Sequence, residues 1–149
     1  MNKGRGFAAA AALVCLAFAG AGEARTIGGF AGHPMDSSPT SCFTEWFGGV
    51  QGACSGTHTW QIPLVVDTAG GKTINITASA GSSPMTCTAY GAGPSGQFDF
   101  HQGGSATWQN TNPAQQSISV PTVPSGGYLY VNCSFTGLGV TIDAVNWNS

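Results

Sequence analysis

Charge is what this sequence has least of. Asp, Glu, Lys and Arg make up 7% of its 149 residues. Beyond Ala24 the basic side chains are Arg25 and Lys72, against Asp36, Glu45, Asp67, Asp99 and Asp143, a balance of −3. That argues against nucleic acid as a partner, because affinity for it rests on Lys and Arg neutralising phosphates. It disfavours an anionic membrane surface for the same reason. Helical periodicity is almost absent. No pair of cysteines has the Cys-x-x-Cys spacing of a zinc knuckle, and His33, His58 and His101 are scattered, so no metal site or cofactor is expected. No serine sits in a Gly-x-Ser-x-Gly elbow, and no second carboxylate pairs with Asp99 as glycoside hydrolysis requires. The sequence therefore leans away from an enzyme, with no catalytic residue assigned.

The one long apolar run lies at the start. Lys3 and Arg5 precede an uncharged stretch from Phe7 to Ala19, which closes on Gly20-Ala21-Gly22-Glu23-Ala24. A membrane-spanning helix needs roughly 20 apolar residues, so this layout reads as a secretory signal, cleaved after Ala24 or alternatively after Ala21. Cys15 is a poor lipid-attachment site, since Val14 precedes it and Leu16-Ala17-Phe18 continues the run. Residues 1–24 are thus expected as signal peptide, with a secreted or periplasmic product and no transmembrane segment in the mature chain.

Removing the signal turns five cysteines into four, Cys42, Cys54, Cys87 and Cys133. An even set in an oxidising compartment is the mark of a disulfide framework, and four cysteines permit three connectivities. Cys42 with Cys54 and Cys87 with Cys133 is the favoured pairing. The first would close a short Gly-rich loop and the second would join two strand-like segments. In the chain-entropy description the two bridges contribute roughly 3 and roughly 4 kcal/mol.

Residues 25–41 carry Gly28-Gly29, Pro34 and Ser37-Ser38-Pro39 with few large apolar side chains, and read as a flexible leader. From Thr57 the pattern is one of short β-rich runs between Gly, Pro, Ser and Asn clusters. Strands are expected at Thr59 to Asp67, Lys72 to Ser79, Met85 to Tyr90, Gln116 to Val120, Tyr128 to Phe135 and Val140 to Trp147. Pro63 should push the first toward an edge or a bulge. Gly103-Gly104 divides Phe98 to Gln109, and Pro121 and Pro124 should end the fourth strand. Leu129, Val131, Cys133 and Phe135 alternate with Tyr128, Tyr130 and Asn132, so the former should face inward. In the last strand Val140, Ile142 and Ala144 fall on one face and Val145 and Trp147 on the other, which calls for a bulge or burial on both sides. The expected fold is all-β: a single antiparallel β-sandwich over 42–149, jelly-roll or Ig-like, stapled by two disulfides.

An early cysteine, a second before the first strand, a third in a middle strand and a fourth in Tyr128-Leu129-Tyr130-Val131-Asn132-Cys133, with a final strand around Ile142, form a recognisable series. In it the chain resembles a loose group of small exported bacterial four-cysteine proteins with no assigned function. It departs from that group in having Ser55 where a proline tends to follow Cys54, and Thr136-Gly137 in place of Leu-Pro. The resemblance implies a fold and an address rather than an activity.

Trp46, Trp60, Trp108 and Trp147, with Tyr90, Tyr128 and Tyr130, are the richest functional resource, because aromatic faces stack on sugar rings. Trp60 and Trp147 are expected in core or edge packing. Trp108, amid Thr107, Gln109 and Asn110, and the outward Tyr128 and Tyr130 are the expected ligand-binding residues. Asp99 could orient His101 in a hydrolase, although a solvated polar edge explains that spacing as well. Asp67, Asp143 and Asn110-Thr111-Asn112 offer oxygen ligands but match no calcium-loop spacing. The leading expectation is a secreted, non-enzymatic module binding polysaccharide or a cell-surface glycan. A self-associating structural protein of the cell surface or matrix is the alternative, and a small secreted hydrolase a minor one.

Overall fold

The computed structural model describes residues 24–35, 38–95 and 100–149. The signal segment before Ala24, Cys15, Asp36 and Asp99 lie outside the described residues. Eleven strands are present: β1 (Ala24–Gly28), β2 (His33–Pro34), β3 (Phe43–Trp46), β4 (Gly49–Gly52), β5 (Thr57–Leu64), β6 (Gly70–Ser79), β7 (Met85–Ala92), β8 (Phe100–Trp108), β9 (Ala114–Val123), β10 (Tyr128–Thr136) and β11 (Thr141–Asn148). They form two antiparallel sheets. One runs β3-β4-β11-β6-β9, with β1 also paired to β11, and the other runs β2-β5-β10-β7-β8. A β-sandwich with two disulfides is therefore the observed fold.

Alternation builds the core. Ile74, Ile76 and Ala78 of β6 face Leu129, Val131, Cys133 and Phe135 of β10, all buried, and each large aliphatic side chain so removed from water contributes about 1.5–3 kcal/mol. Both disulfides pair as favoured, Cys42 with Cys54 and Cys87 with Cys133. Cys87 and Cys133 are direct cross-strand partners on β7 and β10, wholly buried. The face conflict in β11 resolves as a bulge between Ile142 and Ala144, which turns Val145 and Trp147 into the core beside Ile142.

Three sequence expectations differ from what is seen. Residues 25–41, expected ahead of the sandwich, contribute to both sheets: β1 pairs with β11 along its length, and β2 adds two residues to β5. Its glycines are there for close approach. A Cβ on Gly29 would meet the Ile142 carbonyl oxygen at 2.1 Å, so the chain can cross the sandwich edge only with a bare backbone. Second, β9 runs through Pro121 to Val123. Only β6 pairs with it in its sheet, and an edge strand tolerates a missing N–H donor. Third, β8 continues through Gly103-Gly104, where a Cβ on Gly103 would come within 2.7 Å of the Ser119 carbonyl oxygen of β9. There the glycine keeps a strand going by letting the two sheets touch.

Pro63 behaves as expected. It pairs with Tyr130 of β10, while β2 reaches only Gln61 and Trp60 on the other side, so that edge asks no hydrogen bond of it.

Candidate functional site

The chain has three tyrosines, and all of them stand in one aromatic row on the outer face of the five-stranded sheet. Cys87 and Cys133 face the core, so Tyr90, Tyr128 and Tyr130, at odd offsets from them, must face out. Tyr90 and Tyr130 are direct cross-strand partners with ring centroids 5.2 Å apart and planes inclined by 22°. Phe100 of β8 stacks on Tyr90 at 5.1 Å, and Tyr128 on Tyr130 at 6.1 Å. Rings lying side by side in one plane could not bring centroids so close. They are offset-stacked on one another, and the middle pair, Tyr90 and Tyr130, spend ring faces on their neighbours. Phe100 and Tyr128 close the row, and Tyr128 remains 46% exposed.

Beyond Tyr128 and Tyr130 the row opens into a groove of about 690 Å³, lined also by Ile27, Gln61, Pro63 and Val65. This is within the usual size of a small-molecule cleft. Its wall is apolar apart from the phenol groups and the Gln61 amide, which donates through Nε2 to Asn132 Oδ1 at 3.0 Å. Further along the same face hydroxyl pairs bridge β7 and β8, Thr88 with Ser105 at 2.7 Å and Thr86 with Thr107 at 3.0 Å. Among the described residues no Lys, Arg, Asp or Glu lines the groove. Partial burial, followed by the adjacent Tyr128 and Tyr90 phenols, raises the Tyr130 phenol above its ordinary range.

Of the three expected binding residues, the groove brings together two. Trp108 is not among them: it is 2% exposed, its indole turned inward from β8 with Ala106, and its Nε1 donates to the Ala114 carbonyl at 2.7 Å. Of the polar neighbours that suggested exposure, Thr107 is on the outer face of β8, bonded to Thr86, and Gln109 and Asn110 follow the strand as exposed residues. Trp60 and Trp147 lie in the core as expected, donating to the carbonyls of Gly29 and Val65.

Of the suggested Asp99–His101 pair, Asp99 lies outside the described residues. The suggested calcium ligands Asp67 and Asp143 belong to no cluster of three or more His, Cys, Asp or Glu side chains among the described residues. Asp67 is held by the Arg25 guanidinium at 2.7 and 2.8 Å, and a hydrogen bond with Ser149, then the Arg25 contact, lowers its pKa. Burial raises the Asp143 carboxyl, partly offset by a Thr141 hydrogen bond. Cys42, Cys54 and His58 cluster within 4.8 Å, but the two sulfurs are joined to each other.

Sequence reasoning named Tyr90 among the aromatics but not in the binding set, and assigned no site role to Phe100, Gln61, Pro63 or Val65. Tyr90 was within reach from the inward cysteine three residues earlier. The groove wall was not, because it forms where Ile27 of β1 and Ala31 of the following 3-10 turn come beside the end of β5.

Against known proteins the geometry has a clear likeness. The chain superposes on the C-terminal CBM6 of LamC, a marine laminarinase from Zobellia galactanivorans, with a TM-score of 0.57 and 14% identity, covering 85% of this chain and 100% of that one. It superposes on the carbohydrate-binding module CBM6cm-2 of Cellvibrio mixtus lichenase 5A, a structure in complex with cellotriose, at 0.53 and 14% identity, covering 84% and 96%. The GH26-CBM35 β-(1,4)-mannanase of Podospora anserina matches at 0.51 and 11% identity, over 85% of this chain and 28% of that one. The chain shares its β-sandwich fold with these carbohydrate-binding modules. No protein-family model and no curated protein matches the chain. The two disulfides fit an extracellular protein, and among the described residues no helix is long and apolar enough to cross a membrane.

Proposed function

We propose that this chain is a secreted, non-enzymatic module that binds a neutral polysaccharide in the groove between Tyr128–Tyr130 and Pro63–Val65. The observation that carries the reading is an aromatic ring with an open face, Tyr128, at the mouth of an uncharged groove that also holds an amide pair. A sugar ring has an apolar C–H face and a rim of hydroxyls. The first stacks on an aromatic face, and the second exchanges hydrogen bonds with Gln61, Asn132 and the Tyr130 phenol. The absence of charge in the wall selects against uronates and sulfated glycans. Such anions would want cations, and Arg25 is engaged by Asp67 while Lys72 is buried with its ammonium on Thr68. The carbohydrate-binding-module fold supports the same reading.

Native affinity electrophoresis of the mature protein through gels containing neutral or anionic polysaccharides tests this directly. Retardation by a neutral glycan, lost in Tyr128→Ala, is the expected result. Migration unaffected by every polysaccharide would dismiss the reading.

A further inference from the structure

A second cluster of exposed aromatics stands at the tip of the β3–β4 hairpin. Phe30 is 46% and Trp46 50% exposed, and with Glu45 and Gly48 they line a pocket of about 280 Å³. Phe47, at the turn itself, is fully exposed. Exposed aromatics cost burial energy that a folded chain ordinarily recovers, so a cluster of them signals a contact surface. The rings are also held in place by glycines. A Cβ on Gly28 would strike the Phe30 ring at 2.5 Å, and one on Gly49 would meet Trp46 Nε1 at 2.9 Å. Both rings therefore lie down on bare backbone instead of swinging free. Gly48, at a φ of 95°, makes the turn that allows it.

We infer that this pocket is a further saccharide subsite, and that a glycan seated in the groove runs on across the 3-10 turn Gly29–Ala31 to reach it. The inference rests on the groove reading above. Its geometric basis is that one turn borders both cavities: Ala31 lines the groove and its neighbour Phe30 lines the hairpin pocket. The chemistry suits a neutral sugar. Two half-open aromatic faces take its C–H surface, and Glu45, which makes no hydrogen bond or ion pair among the described residues, supplies an acceptor for its hydroxyls. An anionic sugar would be repelled by the same carboxylate, and a pocket this small admits about one sugar ring rather than a peptide helix or strand. The ligand is then an oligosaccharide or polysaccharide long enough to bridge the turn, not a mono- or disaccharide end.

Calorimetric titration of the mature protein with a length series of one neutral oligosaccharide tests the subsite, comparing wild type with Trp46→Ala and Glu45→Gln. Affinity should rise about tenfold once the oligosaccharide outgrows the groove. That increment should vanish in Trp46→Ala and shrink in Glu45→Gln, while the shortest ligands bind all three alike. Unfolding midpoints equal to wild type confirm that the variants fold. Equal affinity of wild type and both variants at every length overturns the subsite and leaves the groove reading intact. No binding by wild type at any length overturns both.

Discussion

Tyr90 and Tyr130 face each other across β7 and β10 with centroids 5.2 Å apart, three residues along each strand from the point where Cys87 and Cys133 join them from the core side. One strand pair thus carries a covalent staple on its inner face and an aromatic stack on its outer one. The pairing register that sets the stack is held by the bridge beneath it.

That arrangement gives Tyr130 a distinct titration. Its folded-state pKa is raised by burial first and then by the Tyr128 and Tyr90 phenols, above an unfolded value near 10. The neutral phenol is therefore favoured by folding, and its contribution to stability is complete below about pH 10 and lost as pH rises through the folded value. Ultraviolet titration should show one of the tyrosines ionising late, and Tyr130→Phe should remove that late step. Simultaneous ionisation of all of them would contradict the stack as described.

Asp143 follows the same rule at lower pH. Burial raises its carboxyl, so the neutral acid is the form the fold prefers, and its contribution is present at low pH and lost as pH rises through the folded value. Asp143→Asn should raise the melting temperature near pH 7 and leave it unchanged near pH 3. A destabilised variant at neutral pH would mean that the carboxylate is wanted.

The disulfides should differ in weight. Their sequence separations are 46 and 12 residues, for which chain entropy gives roughly 4 and roughly 3 kcal/mol. Cys87 and Cys133 are in addition wholly buried. Replacing that pair by alanines should lower the denaturant midpoint more than replacing Cys42 and Cys54, and the reverse order would contradict the chain-entropy ranking.

Trp108 separates packing from recognition. Because it is buried and bonded to the Ala114 carbonyl, Trp108→Ala should cost about 3–5 kcal/mol of stability. Trp108→Phe, which folds, should bind glycan as well as wild type. Selective loss of binding in Trp108→Phe would restore it to the site.

Much of this fold was legible because alternation is a local signal. Ile74, Ile76 and Ala78, or Leu129, Val131 and Cys133, declare their face from three residues apiece, and the cysteines gave the pairing between β7 and β10. The bulge in β11 could even be read from the face conflict between Ala144 and Val145. What stayed hidden depends on contacts between distant segments. Nothing local in Arg25 to Ser41 says that it will be pulled into both sheets, because its reason for being there is the exposed flank of β11 and the carbonyl of Ile142. Trp108 misled through its polar neighbours, because alternation along β8 turns its indole inward while Thr107 faces out. Tyr128 and Tyr130 were found because their face is fixed by Cys133, whereas Val65 and Ile27 become one wall only when β1, far from β5 in sequence, has paired with β11. The hairpin aromatics Phe30, Trp46 and Phe47 fall in the segment with the weakest periodicity.

The most direct measurement is an amide NMR titration of the mature protein with a neutral oligosaccharide. Recognition in the groove predicts saturable shifts at Gln61, Val65 and Tyr128 through Tyr130, largely unchanged on raising ionic strength because no charged side chain lines the wall. Absence of shifts, or shifts confined to β6 and β9 on the other sheet, would contradict it.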